Sequence, residues 1–163
     1  MTEIPTEVLK YELRKLQIKV AEESRSTYLT FVKKVWPDFI AGSHHKIFAQ
    51  KLEDVSRGKI KRLIVNMPPR HTKSEFASHL FPAWMMGRNP KLKIIQTTHT
   101  AELSYNFGRK VRNLFDQEEF KEIFPNVTLS QDSKAAGRFT TNKGGEYFAA
   151  GVGGAITGRG ADL

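Results

Sequence analysis

Along the first part of the chain the apolar positions fall three and four residues apart. Leu9, Leu13, Leu16, Val20 and Ala21 repeat with the spacing of one helix face, which predicts an amphipathic helix over residues 6–25. A second, short helix is expected over 27–35, stopped at Trp36-Pro37. A third is expected over 43–58, where Ser43 has the side chain of an N-cap and Ile47, Phe48 and Leu52 supply the apolar face. Residues 1–58 therefore read as a helical N-terminal segment. The pattern changes at Arg62-Leu63-Ile64-Val65-Asn66, a short apolar run between Gly58 and Pro68-Pro69 of the kind a buried parallel strand shows. A helix over 73–86 with a kink at Pro82, a strand over 92–98, and a helix over 101–115 with Leu103, Phe107, Val111 and Leu114 on one face make two β-α units. Residues 138–141 and 146–150 flank Asn142-Lys143-Gly144-Gly145 as a hairpin. A glycine-rich loop over 151–160 then leads to Ala161-Asp162-Leu163, which has the look of a third strand beginning.

These elements fit one domain in a chain of 163 residues. No apolar run reaches the roughly 18 residues of a membrane span, and the N-terminus lacks the apolar core of a secretory signal, so the chain reads as cytosolic with no membrane partner. The absence of cysteine excludes disulfides and thiolate metal sites. Charge adds a positive clue. Lys and Arg total 26 against 17 acids, a net +9, which points to a polyanionic partner such as nucleic acid. The densest groups are Lys33-Lys34, Lys59 to Arg62, and Arg109 to Arg112; their scatter also fits a merely solvated surface.

The chemistry concentrates in Met67-Pro68-Pro69-Arg70-His71-Thr72-Lys73-Ser74-Glu75, directly after the apolar run. A phosphate loop needs a strand that ends, a turn whose N–H groups face inward, and a helix whose positive end meets the anion. In that frame Lys73 reaches the β- and γ-phosphates and the Ser74 hydroxyl binds Mg²⁺, as the end of the G-x-x-x-x-G-K-[ST] pattern requires. Met67 and Thr72 occupy the two glycine positions, and Pro68 and Pro69 have no N–H to give. The cradle then comes from His71 onward. By this pattern alone an ordinary basic turn before a helix is an equal reading.

Pro68-Pro69-Arg70-His71-Thr72-Lys73-Ser74-Glu75 after a strand resembles the degenerate Walker A of phage terminase large subunits, the ATPases that drive DNA into capsids. The run from Ile94 to Leu103 with Asn106 to Arg112 is similar to that family's second strand and following helix, and the stretch from Gly151 to Asp162 to the one before its Walker B strand. The resemblance covers about residues 36–163. It implies an α/β fold, a P-loop NTPase (RecA/ASCE-like) parallel sheet flanked by helices, here incomplete, with residues 59–163 as the front part of the ATPase domain and 1–58 as a helical extension. It implies ATP and Mg²⁺ as ligands, held by Arg70, His71, Thr72, Lys73, Ser74 and Glu75, with His45 against the base and Ser74 on the metal. Arg70 would contact the γ-phosphate, and Arg159 would be an arginine finger for a neighbouring subunit. Thr98 and His99 sit where a parallel sheet binds ligands, and equally where a helix is capped.

The implied partners are double-stranded DNA, a portal protein, a terminase small subunit and further copies in a ring, in the host cytoplasm. The Walker B aspartate, the acid that activates water and the nuclease carboxylates are not in the sequence, which is the expectation for the front part of a longer terminase. Two other readings remain: a catalytically silent nucleotide- or DNA-binding piece, and another P-loop translocase such as a helicase.

Overall fold

The N-terminal periodicity folds into three helices, α1 (Thr6–Ser26), α2 (Tyr28–Val35) and α3 (Ser43–Ser56), in a computed structural model that describes residues 6–163. The first five residues of the expected helical segment lie outside the described residues. The stripe that predicted α1 is not buried. Leu9, Leu13 and Leu16 are more than half exposed, and α1 is buried only at Ala21 and Ser24. An apolar stripe favours a helix without ensuring that anything covers it. Gly42, in extended conformation, is the N-cap of α3, and Ser43 is its first helical residue rather than its cap.

Helix α2 enters the core with Tyr28, Phe31 and Val32, all fully buried. Tyr28 packs against Phe76, Phe81 and Trp84 of the helical stretch that begins at Lys73, and Phe31 against Phe120 and Phe124. That stretch is π-helical over Glu75–Leu80 and continues as α4 (Phe81–Arg88). Pro82 stands in the first turn of α4 and has no N–H to donate. Immediately before it lies a π turn, in which the Phe81 N–H reaches back five residues to the Phe76 carbonyl. The polar edges of this aromatic core are bonded: Trp84 Nε1 donates to the Ser24 carbonyl at 2.8 Å and the Tyr28 hydroxyl to the Phe76 carbonyl at 2.7 Å.

The remaining elements are β1 (Lys93–Thr98), α5 (Ala101–Leu114), α6 (Glu118–Ile123), β2 (Leu129–Ala135), β3 (Arg138–Thr141) and β4 (Glu146–Gly151). They form a four-stranded sheet in the order β1-β4-β3-β2. β1 and β4 run parallel, in register from Lys93 opposite Glu146 to Thr98 opposite Gly151, and the β4–β3 and β3–β2 pairs are antiparallel. The expected parallel P-loop sheet is therefore not the fold; the chain is α/β with a mixed sheet. Two short connections explain most of the difference, because strands joined by a few residues can pair only antiparallel. Only the crossover through α5 and α6 returns a strand parallel to β1.

The run at 62–66 joins no sheet. It is extended, with Leu63 and Val65 packed against the core and Ile64 87% exposed, so its apolar pattern marks a half-buried extended segment without a ladder. The edge of β1 away from β4 is met instead by the last two residues. The Ile95 N–H donates to the Leu163 carbonyl at 2.9 Å and the Lys93 carbonyl accepts from the Asp162 N–H at 2.8 Å. On α5 the buried face is Ser104, Gly108, Val111 and Leu114, while Leu103 points outward. Gly108 lets the helix lie against the turn between β2 and β3: a Cβ there would collide with the Ala136 carbonyl oxygen.

Candidate phosphate-binding turn

The segment from Pro68 to Thr72 turns sharply, with Arg70 at φ 62° and Thr72 at φ 59°. Both are left-handed conformations that cost a non-glycine residue about 1–2 kcal/mol, and such strain gathers where a backbone must hold a particular shape. The turn feeds straight into a helix. The Phe76 N–H donates to the Thr72 carbonyl at 2.9 Å, so the N–H groups of Lys73, Ser74 and Glu75 are the orphan donors at the positive end of the helix. One internal bond shapes the turn's exposed side, where His71 Nδ1 lies 2.9 Å from the Pro69 carbonyl.

Arg70, His71 and Ser74 are exposed, and Thr72 and Lys73 are half-buried. Among the described residues, the side chains of Arg70, Lys73 and Ser74 have no hydrogen-bond or ion-pair partner. Glu75 is different. Its carboxylate takes His79 Nδ1 at 2.9 Å and also Lys110 Nζ of α5. The hydrogen bond from His79, reinforced by Lys110, holds its pKa down at about 2 against the cost of partial burial. Glu75 thus ties the helix start to α5 as a fixed anion, while Lys73 and Arg70 leave the turn cationic.

His45 reaches the turn from α3. It is 6% exposed, stacks on Phe76 at 5.2 Å between ring centroids, and places Nε2 2.7 Å from Thr72 Oγ1. Its neighbour His44 lines a cleft of about 270 Å³ with Ile47, Phe48, Lys51 and residues 63–67, which runs up to the turn. The base-side position expected of His45 is thus bordered by His44, and His45 packs behind it.

Arg159 is held on the sheet. Its Nη1 donates to Glu146 at 3.0 Å, its guanidinium lies 3.9 Å over the Phe148 ring, and Arg138 bonds the same carboxylate. At the end of β1, Thr98 Oγ1 donates to the Thr100 carbonyl, and Thr100 caps α5 by accepting from the Leu103 N–H. His99 is exposed beside them. The structure thus brings Arg70 to Glu75 and His45 together at one turn, with Arg159, Thr98 and His99 on the sheet.

For a magnesium nucleotide, the residues present fit a supporting role. Among the described residues no group of three or more His, Asp or Glu side chains is placed to hold a metal. The exposed Ser74 hydroxyl is then the one ligand this turn provides, and Mg²⁺ commonly takes most of its octahedral shell from phosphate oxygens and water. The orphan N–H groups and Lys73 suit the phosphates themselves. Sequence reasoning missed the Glu75-His79 pair, although its i, i+4 spacing was readable. It also missed Lys110 and the link from His45 to Thr72, which only tertiary packing reveals. Compared with known proteins, the chain matches no family model, no curated protein and no solved structure. No described helix is long and apolar enough to cross a membrane.

Proposed function

We propose that this chain is the ATP-binding part of a phage terminase large subunit, with Mg·ATP seated by its phosphates on the turn 70–75. One observation carries the reading: a strained turn presents two cationic side chains, a hydroxyl and three orphan N–H groups without protein partners at the start of a helix. The reading rests on this turn and on the sequence resemblance, independently of sheet topology. Lys73 neutralises phosphate charge, Ser74 ligates Mg²⁺, Arg70 contacts the terminal phosphate, and the cleft beside His44 takes the base. When bound, Mg²⁺ screens the phosphate oxygens. Double-stranded DNA is the substrate of the whole motor, and the net +9 supports contact with it. Portal protein, a small subunit and further copies of the chain are the partners the resemblance suggests.

A narrower reading, nucleotide binding without turnover, is favoured by Glu75. It is the acid of the turn, and it is committed to His79 and Lys110 with a pKa near 2, too low to take a proton from water effectively at neutral pH. Titration of a fluorescent ATP analogue tests the site. Lys73→Ala should weaken binding at least about tenfold, the loss of one charge-assisted contact, and equal affinity of the two proteins would remove the turn from consideration.

A further inference from the structure

The left-handed Thr72 needs something to hold it, and the structure supplies a one-way chain of hydrogen bonds. The Gly42 N–H donates to His45 Nδ1 at 2.9 Å. An imidazole nitrogen that accepts carries no proton, so the neutral ring bears its hydrogen on Nε2. That Nε2 lies 2.7 Å from Thr72 Oγ1, and the Thr72 hydroxyl donates onward to the His71 carbonyl at 2.7 Å. The ring has little freedom to leave, being stacked on Phe76 and set edge-on against Phe39 at 4.8 Å.

We propose that His45 is the positioning residue of the turn: in its Nε2–H form it clamps Thr72 in the left-handed conformation that aims the N–H groups of Lys73 and Ser74. This rests on the nucleotide reading of the turn. A loop with glycine before the lysine reaches the same backbone shape at little cost; here a side-chain clamp replaces the missing glycine. The titratable groups facing the ring are His44 on α3, with its Nε2 3.1 Å from His45 Nε2, and His71 on the turn. Burial first, then these two neighbours, lower the His45 pKa from 6.5 and so favour the neutral ring that the clamp requires. Because the folded value is depressed, the neutral ring's contribution is complete above pH 6.5 and declines below it.

A double-mutant cycle separates the clamp from general damage. His45 is the N3 residue of α3; His45→Leu keeps an apolar side chain between Phe39 and Phe76 but has no donor for Thr72, and its loss of the Gly42 N–H bond is common to the native and Thr72→Gly backgrounds. The substitution should weaken the fluorescent ATP analogue about tenfold in the native chain, the scale of one hydrogen bond to a strained group. In a Thr72→Gly background, which needs no clamp, the same change should cost less than about twofold. Equal losses in both backgrounds, or none in either, would overturn the proposal. Two-dimensional ¹H–¹⁵N spectra of the His45 ring decide it without nucleotide: an Nε2–H tautomer at neutral pH, with the Thr72 amide moving as His45 titrates, is expected. An Nδ1–H tautomer or an indifferent Thr72 would overturn it, even if the native chain bound no ATP analogue and the functional reading alone had failed.

Discussion

The hydroxyl of Tyr28 donates to the carbonyl oxygen of Phe76 at 2.7 Å, joining the N-terminal helices to the first residues after the turn. Tyr28 is fully buried, and the same carbonyl also accepts from the Phe81 N–H. Tyr28→Phe keeps the ring packing and leaves the carbonyl one partner, so it should cost about 1–2 kcal/mol. Urea unfolding should show the midpoint falling with the slope unchanged. An unmoved midpoint would mean that this bond adds nothing to stability.

Gly108 sits where α5 presses on the turn between β2 and β3, with room for hydrogen alone. Gly108→Ala places its methyl against the Ala136 carbonyl, a backbone atom that cannot rotate aside. The expected loss is about 2–3 kcal/mol, from overpacking that outweighs the better helix propensity of alanine. Thermal unfolding checks it, and a stability equal to the parent would show that helix and turn separate freely there.

The carboxylate of Glu75 makes stability depend on acid. Its pKa is lowered from 4.5 to about 2, so its contribution is complete above pH 4.5 and is lost as pH falls toward 2. Because the group is partly exposed, that contribution is about 1 kcal/mol. Glu75→Gln should therefore lower the urea midpoint at pH 7 and match the parent more closely at pH 3. A gap that stays constant between the two pH values would assign the effect to packing instead of charge.

Duplex DNA should bind without sequence preference, its affinity falling linearly on a log–log plot against salt as counterions are released. Filter binding at several salt concentrations measures the slope. A flat response would leave the net +9 as surface solvation only.

What the sequence made legible follows the reach of each signal. Helix positions were readable because their signals are local: α5 ends within one residue of its expected limit, and the helix after the turn starts at Lys73. β1 was readable from a short apolar run, and β3 and β4 from the turn residues Asn142 to Gly145 that join them. β2 was not, because Leu129–Ala135 carries mostly polar side chains and becomes a strand only through its neighbour β3. Pairing was the least legible property. The run at 62–66 has the composition of a central strand, yet strand formation depends on a partner that local composition does not specify. At the candidate site, the positions of Lys73 and Ser74 followed from spacing, whereas the inward rotation of His45 depended on Phe76, distant in sequence and adjacent in space, together with nearby Phe39.

The π turn over Glu75–Leu80 holds one residue more than an α-helical path would need. Each residue of an α-helix advances the side chains by about 100°, and the wide turn absorbs that advance, so Lys73 and Ser74 keep their bearing relative to Trp84 and Met86, which are locked in the core, despite the added residue. Removing one residue from the segment would barely change composition or charge. It would close the wide turn into an α-helical one and leave Thr72 facing His45, so that this segment absorbs a change of length that an ordinary helix would turn into a rotation.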